Sequence, residues 1–439
     1  MNRFARLLGC AAIVTALPML PTPAPAQTAS AATTDASATI AEARKVLAER
    51  YVLPDTAAKL DAALGAAEQR GEFKGLSGEA LADKINAVLR TVTADGHLGV
   101  SYNPARSAAM LAEPQGDHDE DHALPPEYVR QIARANGGVE RLERMPGNIR
   151  YMDYRGFMWD TPDAENAIRN AMEFLRGGDA IIIDIRRNGG GSPGAVAALA
   201  SYFLPPATKL MRFEMRNMPG EASETSAVPF SLAEKPVYVL TSKGTFSAAE
   251  EFADHVSAFK FGTLVGETTG GGGFRNTFVP LPGGLVMSVS VGRAVHMVTG
   301  KDWEAVGIPP AIAVPADQAL TRAQAEAMTV LAAKLPEAER ADAARLAAFY
   351  RAQATPVNPG HALADYTGTF GPRTIALDAS GALTTQRSGG QAVRLIAVGP
   401  DLFVPETNPT QHFRFVPGEN ALVVDGPGGE PTRFTRAAG

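Results

Sequence analysis

The chain has 439 residues and a formal net charge of −6, with 45% hydrophobic and 20% charged residues, a composition typical of folded soluble proteins. The acidic balance argues against a nucleic-acid partner. Cys10 is the only cysteine, so an exported chain that loses its first residues has no disulfide, no thiolate nucleophile and no cysteine–zinc site. The length predicts two or three domains.

The N-terminus is typical of a secretory signal peptide. A short basic region precedes an apolar run at 7–20, and residues 24–26 (Ala-Pro-Ala) are the small residues that signal peptidases read. The run is too short and too proline-rich at its end to remain as a membrane span, and no later stretch reaches the necessary length. We predict a signal peptide at 1–26, disorder at 27–37, and export to a bacterial periplasm.

The spacing of apolar residues divides the rest of the chain. Spacings of three and four across 40–92 predict two to four short helices. Strand–helix–strand units follow, and the nearly unbroken apolar run at 180–185 is typical of a buried parallel strand. These units predict an α/β layer with a largely parallel sheet. A hairpin is expected at 278–291 and one final helix at 322–351.

A linker rich in proline and glycine at 355–360 precedes the last segment. Beyond it, short alternating runs separated by glycine and proline turns predict a small β domain without a catalytic constellation. The predicted organisation is an N-terminal helical domain at 38–147, an α/β core at 148–354 and a small β-rich domain at 361–439.

The segment TSKGTFSAAEEF at 241–252 places Ser247 between a buried strand and the start of a helix. A nucleophile there faces free backbone N–H groups and the positive end of the helix dipole, both of which favour developing negative charge. The segment is equally typical of an ordinary N-cap serine, with Glu250 completing a capping box. Ser247 is therefore a candidate nucleophile whose role depends on other residues.

Three more segments carry candidate chemistry. The glycine run in DIRRNGGG at 184–191 could bind an oxyanion or form a tight turn, and it lacks the pattern of a P-loop or a dinucleotide fingerprint. His97, in a glycine-flanked loop, is a general base or a structural histidine. Glu304, before a turn, is a carboxylate that orients that histidine or an ordinary surface glutamate.

Other polar residues have simpler interpretations. His118 and His122 lie four apart in an acidic segment, which we interpret as a solvated loop rather than a metal site. His255 lies on the helix that follows Ser247 and is expected to be a packing or surface residue. Glu267 either shapes the site or supports a turn. No metal and no organic cofactor is predicted.

Together the four segments resemble the tail-specific, C-terminal-processing serine peptidases, most closely the branch of the interphotoreceptor retinoid-binding protein and the tricorn protease core. The resemblance rests on DxRxNxGG, TSxxTxSAAE, GExTxGG and WExxGIxP, in this order, and covers about residues 40–320. It implies an α/β fold with a crotonase-like ββα layered core, an N-terminal helical domain, and cleavage of polypeptides, often near free C-termini. The PDZ domain frequent in relatives is missing, because 101–148 is too short and too acidic to hold one.

One departure from the family bears on the mechanism. Many relatives carry a lysine base in GExTxGKG, and Gly272 stands in its place here. Because a serine hydroxyl at its ordinary pKa needs a base, the resemblance implies a Ser247–His97–Glu304 set that works through an acyl-enzyme.

The resemblance also implies an oxyanion hole built from two backbone N–H groups, those of Gly190 and Ala248, with Gly189 and Gly191 as near alternatives. Two other functions remain open: a non-catalytic binding protein for an apolar ligand or peptide on the same scaffold, and an esterase-type acyl hydrolase. All three polar residues are retained, which favours a peptidase of exported or cell-envelope polypeptides.

Overall fold

The computed structural model describes residues 36–112, 126–158, 161–217, 219–426 and 429–437. The predicted signal peptide, the predicted disorder up to residue 35, and the acidic segment with His118 and His122 lie outside these residues. Ala36 already begins the first helix, so the predicted disordered segment extends two residues too far. Among the described helices, none is both long and apolar enough to cross a membrane.

The N-terminal region is mainly helical, as predicted. Its apolar side chains recur at helical spacing and form one core, in which Ile40, Leu47 and Leu60 are completely buried. One short strand interrupts the helices and joins a sheet built mostly from later residues. The elements are α1 (Ala36–Arg50), α2 (Pro54–Gln69), α3 (Gly78–Arg90), β1 (Gly99–Tyr102), α4 (Pro104–Ala112) and α5 (Pro126–Arg134).

The central region alternates strands and helices, which confirms the predicted α/β class. Its elements are β2 (Val139–Met145), β3 (Ile149–Tyr154), α6 (Pro162–Arg176), β4 (Ala180–Asp184), α7 (Pro193–Ala200), β5 (Lys209–Met215), β6 (Glu221–Glu224), β7 (Val237–Thr241), α8 (Ala248–Phe259), β8 (Thr263–Gly266), β9 (Phe274–Leu281), β10 (Leu285–His296) and β11 (Ile312–Ala313).

A six-stranded sheet with the order β11-β8-β7-β4-β3-β2 forms the centre of this region. Every neighbouring pair is parallel except β2–β3. Side chains of β4 alternate between the faces: Ile181 and Ile183 pack with α6, α7 and α8, whereas Ile182 packs on the opposite side. Burial on both faces explains why this strand is an unbroken apolar run.

The second sheet has the order β1-β10-β5-β6, and β9 pairs with β10 as the predicted hairpin. Leu285, Met287 and Val289 of β10 pack into the same core as the N-terminal helices. The boundary predicted between residues 147 and 148 falls inside the antiparallel β2–β3 pair, so it does not separate two units. Strand β2, with the sequence VERLERM, lies at the edge of the sheet and is largely exposed, so most of its residues are charged. Without alternating apolar residues, the sequence did not predict a strand there.

The single helix predicted at 322–351 is wrong. Two helices are present, α9 (Ala319–Lys334) and α10 (Glu337–Ala354). They are separated at Leu335 and Pro336, because proline cannot donate its backbone N–H and forces the preceding residue into extended backbone. Both helices contribute to the core on the face of the six-stranded sheet that Ile182 occupies.

The last segment forms an eight-stranded antiparallel sheet in which consecutive strands are neighbours. A bridge between Phe370 and Arg436 brings its two ends together, and the core contains Phe403, Phe413 and Phe415. The strands are β12 (Gly368–Phe370), β13 (Arg373–Leu377), β14 (Leu383–Arg387), β15 (Ala392–Gly399), β16 (Leu402–Pro405), β17 (His412–Val416), β18 (Ala421–Asp425) and β19 (Thr432–Thr435).

We expect removal of this β sheet to weaken the chain without removing its site. Val404 is completely buried in the core that contains α9 and α10, and Ile396 packs against the same core, so truncation after Gly360 exposes apolar surface. The truncated protein should have a lower melting temperature and still react at Ser247 with a fluorophosphonate. A folded truncate without any labelling would show instead that the site depends on this sheet.

Candidate active site

The six-stranded sheet brings two of the predicted segments together. Strands β4 and β7 are parallel neighbours, so their carboxyl ends lie at one edge of the sheet. The glycine run follows β4, and Ser247 follows β7 as the N-cap of α8. Ser247 has φ 56° and ψ −125°, a conformation that costs energy for any residue other than glycine and that often occurs at functional sites.

A buried carboxylate holds the backbone around Ser247. Glu250 is completely buried, and its Oε2 accepts the N–H of Ser247 at 2.9 Å and of Gly272 at 2.7 Å. Its Oε1 accepts the N–H of Gly271 at 2.6 Å and the hydroxyl of Thr269 at 2.5 Å. The residue that the sequence suggested as half of a capping box therefore also fixes the loop between β8 and β9 beside the serine.

The glycine run packs directly against the serine, but one predicted oxyanion donor is already engaged. A Cβ on Gly190 would lie 2.8 Å from Ser247 Cβ, so only glycine permits this approach. The Gly190 N–H, which was predicted to bind the oxyanion, donates to Asn188 Oδ1 at 2.9 Å in this conformation. The N–H groups of Ala248, Gly189 and Gly191 donate to no acceptor among the described residues. The completely buried Asn188, which the sequence did not single out, orders this loop.

The ring of His97 packs on the ring of Phe246, the residue that precedes Ser247. The centroids of the His97 and Phe246 rings are 4.7 Å apart. A Cβ on Gly272 would lie 2.3 Å from the tip of the Phe246 ring, so the space that a lysine would need at residue 272 is filled by that ring. A Cβ on Gly96 would lie 2.7 Å from the same ring. The Phe246 ring that packs on His97 therefore occupies the space that a side chain at residue 96 or 272 would need.

The loop that carries His97 is fixed by groups that the sequence did not point to. The buried Asp95 accepts the backbone N–H of His97 at 2.8 Å and the hydroxyl of Ser290 at 2.6 Å. Ser288 donates to the His97 carbonyl at 2.5 Å. Burial lowers the pKa of His97, and the nearby Asp95 carboxylate partly opposes this shift. The imidazole is therefore neutral near pH 7, the form that can accept a proton.

Glu304 lies at the turn after β10, on the other side of the β8–β9 loop. Its Oε2 accepts the N–H of Gly273 at 2.7 Å and of Phe274 at 3.2 Å. Burial, followed by the Asp95 carboxylate, raises the pKa of Glu304 to about 8. The sequence left Glu304 open as a surface glutamate, whereas the side chain faces inward and its Oε1 is buried.

No hydrogen bond joins Ser247 to His97 or His97 to Glu304 in the part of the chain that the structure describes. The predicted set places the imidazole between the other two side chains, within hydrogen-bond reach or slightly beyond it without substrate. Among the described residues, the buried atoms without a hydrogen-bond partner include His97 Nδ1 and Glu304 Oε1, the atoms that a histidine–glutamate bond would join. Catalytic hydrogen bonds are often long without substrate and shorten when it binds.

The other candidate residues have structural surroundings. Arg186 binds both oxygens of Asp184, which also accepts the Tyr151 hydroxyl at 2.7 Å, so the DxR part of the motif holds the end of β4. Glu267 accepts the N–H of Ala316 at 3.2 Å and supports a turn. His255 is completely buried, with Nδ1 3.0 Å from His296 Nε2, so it is a packing residue. The described residues contain no group of three potential metal ligands.

The high pKa of Glu304 predicts an unusual pH dependence. The proposed mechanism needs an ionised Glu304 carboxylate to support an imidazolium at His97. The value of kcat/KM should therefore rise until about pH 8, whereas with the ordinary glutamate pKa of 4.5 it would level off just above that pH. A raised carboxyl pKa also means that the folded state binds the proton more tightly than the unfolded state does. The protonated Glu304 side chain therefore contributes its full stabilisation below pH 4.5, and this stabilisation is lost as the pH rises through about 8.

Glu304→Gln tests both consequences. The variant should turn over more slowly, lack the limb near pH 8, and lose less stability than wild type between pH 5 and 8 in denaturant titrations. Identical pH profiles for the two proteins would contradict a role for this carboxylate.

Ser247 begins a helix at the edge of a parallel sheet, His97 packs on the ring of the preceding Phe246, and Glu304 accepts backbone N–H groups at the end of the β8–β9 loop. Serine, histidine and a carboxylate are the residue types that serine hydrolases combine. The sequence profile of peptidase family S41 matches residues 148–314, and that of the N-terminal domain of S41 peptidases in eukaryotic interphotoreceptor retinoid-binding protein matches residues 25–140.

The chain is similar to carboxyl-terminal-processing peptidase 2, chloroplastic, of Arabidopsis thaliana, with 27% identity over 240 residues, 54% of this chain and 45% of the relative. It is 31% identical over 118 residues to a carboxyl-terminal-processing protease of Synechocystis, 27% of each chain. It spans less than half the length of these relatives. The structure of mature CPAF matches with a TM-score of 0.47 and 13% identity, covering 67% of this chain and 97% of that one.

Proposed function

We propose that the protein is a serine peptidase that hydrolyses peptide bonds in exported or cell-envelope polypeptides. Ser247 is the nucleophile, His97 its general base and Glu304 the carboxylate that supports the imidazolium. The observation that carries this proposal is the strained N-cap Ser247, which Glu250 holds beside backbone N–H groups that have no acceptor among the described residues. The match to the profile of peptidase family S41 and the names of the curated relatives support the reaction class.

The proposed reaction proceeds through an acyl-enzyme. Ser247 Oγ attacks the peptide carbonyl as His97 takes its proton, and the carbonyl oxygen becomes an oxyanion. The N–H of Ala248 and the N–H of either Gly189 or Gly191 donate hydrogen bonds to this oxyanion, because the Gly190 N–H already donates to Asn188. The imidazolium then protonates the leaving amine, and a water that His97 deprotonates releases the acid product and the serine.

We expect substrate binding to bring the His97 and Glu304 side chains closer together. Within the described part of the chain, His97 Nδ1 and Glu304 Oε1 have no hydrogen-bond partners, and each loses solvation without compensation unless substrate draws the two side chains together. The alternative of a non-catalytic binding protein would have no use for such a closure.

Incubation with an unfolded polypeptide tests the function. Mass spectrometry should detect new termini produced by the wild-type protein and none by Ser247→Ala. Hydrolysis of small esters without any peptide cleavage would support the esterase alternative, and hydrolysis of neither would support a binding protein.

We also propose that residues 1–26 are a signal peptide and that the mature chain acts in a bacterial periplasm. The basic and apolar pattern of the N-terminus supports this location. Expression in a bacterial host should yield a periplasmic chain whose first residue is Gln27; an intact N-terminus in the cytoplasm would contradict it.

A further inference from the structure

The C-terminal β sheet closes on itself into a barrel, and a pocket of about 440 Å³ lies at one of its two ends. Because neighbouring strands are antiparallel, the loops β12–β13, β14–β15, β16–β17 and β18–β19 all lie at this end. Phe403, Phe413 and Phe415 fill the middle of the barrel, so a ligand has room at the end rather than in the centre. We call this space, which Arg373 and Arg387 line, the barrel pocket.

Two arginines face each other in the barrel pocket. Arg373 of β13 and Arg387 of β14 are direct partners in the antiparallel register, so their side chains lie on the same face with Cβ atoms about 4.5–5.5 Å apart. That face is the inner one, because Ile375, two residues after the first arginine, and Thr385, two residues before the second, are both buried. Both guanidinium groups therefore enter the pocket from the inner face of the barrel.

The first of these arginines is held in place by the barrel core. The guanidinium carbon of Arg373 is 4.9 Å from the centroid of the Phe413 ring, which is completely buried. Burial, followed by the charge of Arg387, lowers the pKa of Arg373. Like charges that lie directly opposite each other on two strands destabilise the sheet. The fold therefore holds two cations together at a cost in stability.

The carboxylates near the pocket do not pair with these arginines. Neither guanidinium group forms an ion pair or a hydrogen bond with any described residue. Asp425 also lines the pocket, but it lies on the outward face of β18, where its carboxylate is 3.8 Å from Arg345 and 4.0 Å from His412. Glu430 is exposed beside the pocket. The acidic residues at 117–121 lie outside the described part of the chain, and the last experiment below tests them as partners.

Two further polar groups at this end have no partner among the described residues. Thr385 is 4% exposed, and its buried hydroxyl forms no hydrogen bond. It lies on the inner face, one pleat deeper than Arg387. The side-chain amide of Gln411, in the wall of the pocket, also forms no hydrogen bond. Hydroxyl and amide groups can both donate to oxygen atoms, so they add donors to the same end of the barrel as the arginines.

We propose that the barrel pocket binds the oxyanion group of a small molecule, a phosphate or a carboxylate, between Arg373 and Arg387. Planar guanidinium groups donate two parallel hydrogen bonds to such groups, and one anion between two cations replaces a repulsion with two attractions. Val424 and Phe434 provide an apolar wall for the rest of the ligand. The volume lies within the range of about 300–1,000 Å³ that is usual for small-molecule sites. The proposal does not depend on the peptidase function.

Titration of the whole protein with three small aromatic molecules tests the site. Phenyl phosphate and benzoate carry the two oxyanions, and benzyl alcohol is the neutral counterpart. At least one of the two anions should bind about tenfold or more tightly than benzyl alcohol, and the tighter one identifies the group that the pocket prefers. Equal affinity for all three molecules, or no saturable binding of either anion, would overturn the proposal.

Substitutions assign the binding to the arginines. Arg387→Met should weaken the preferred anion about tenfold and leave benzyl alcohol unchanged, whereas Arg387→Lys should retain part of the affinity. Arg373→Met should act in the same direction. Arg414→Met is the matched control, because Arg414 follows Phe413 on β17 and is exposed on the outward face. Full anion affinity in Arg387→Met, or an equal loss in Arg414→Met, would contradict the site.

Stability without a ligand gives a second readout. In a buffer of low salt concentration without phosphate or carboxylate, Arg387→Met should melt at a higher temperature than wild type, because one of two repelling charges is gone. Addition of the preferred anion should then raise the melting temperature of wild type and leave that of the variant unchanged. A lower melting temperature of Arg387→Met would show that a carboxylate of the chain already pairs with this arginine, and would overturn the proposal.

A final variant tests the acidic segment as that partner. Asp117, Asp119 and Asp121 are replaced by asparagine and Glu120 by glutamine. The affinity for the preferred anion should stay the same as in wild type, because the proposed site contains none of these residues. Tighter anion binding by this variant would show that the acidic segment occupies the arginines, which would contradict a site for a separate small molecule.

Discussion

Ser247→Ala and His97→Ala should each lower kcat by at least about a thousandfold, and the double variant should lose little more than either alone. A nucleophile and its base act in one step, so removing one makes the other useless. Glu304→Gln should cost less, because it supports the imidazolium without touching the reacting bond.

Matched controls separate catalysis from folding. Ser242→Ala alters a serine in the same loop that donates to the Arg186 carbonyl at 2.6 Å, so it should affect stability more than rate. His361→Ala removes a half-exposed histidine of the C-terminal β sheet and should leave turnover unchanged. If His97→Ala retained near wild-type hydrolysis while Ser247→Ala lost it, another base would have to be found.

Glu250→Gln should be the most damaging substitution outside the proposed triad. The glutamine side chain turns an N–H toward backbone N–H groups that now donate to a carboxylate oxygen, so at least one buried donor near Ser247 or Gly272 loses its acceptor. Each unsatisfied buried group costs about 1–3 kcal/mol, more where an ion is replaced. We expect a loss of roughly 2–4 kcal/mol in the free energy of unfolding, with slower reaction at Ser247.

Glu251→Gln is the control, one residue further along α8 and also buried. Burial raises the pKa of Glu251 to about 8, so at pH 7 it is mostly protonated, and a neutral amide replaces it with little change in charge. Its effect on the free energy of unfolding should stay below about 1 kcal/mol. Equal effects in urea titrations of the two variants would show that Glu250 acts only as a buried group and does not organise the loop.

Periodicity predicted the elements where burial is complete on one or both faces. The run at 180–185, the hairpin at 278–291 and the three N-terminal helices follow from apolar spacing alone. It failed where contacts distant in sequence decide the outcome. Strand β2 is charged and exposed at a sheet edge, and the break at Pro336 required giving the proline more weight than the apolar pattern around it.

The sequence predicted the residues of the candidate site without their geometry. Motifs led to the prediction of Ser247, His97 and Glu304, and the order of strands β4 and β7 places the glycine run at the serine. The hydrogen bond between Gly190 and Asn188 and the Phe246 ring that fills the space beside Gly272 are three-dimensional contacts without a local pattern. For the contacts of Glu250 with the β8–β9 loop, the only signal in the sequence was its spacing of three residues from Ser247, and that spacing indicated only a helix cap.

Reaction with a fluorophosphonate, followed by peptide mapping, tests the central claim most directly. The account predicts one adduct, on the Ser247 hydroxyl, formed quickly by the wild-type protein and at least about a hundredfold more slowly by His97→Ala, since the base must take the hydroxyl proton. No adduct on a folded wild-type protein, or an adduct on another serine that persists in Ser247→Ala, would contradict the assignment of this site as a serine peptidase centre.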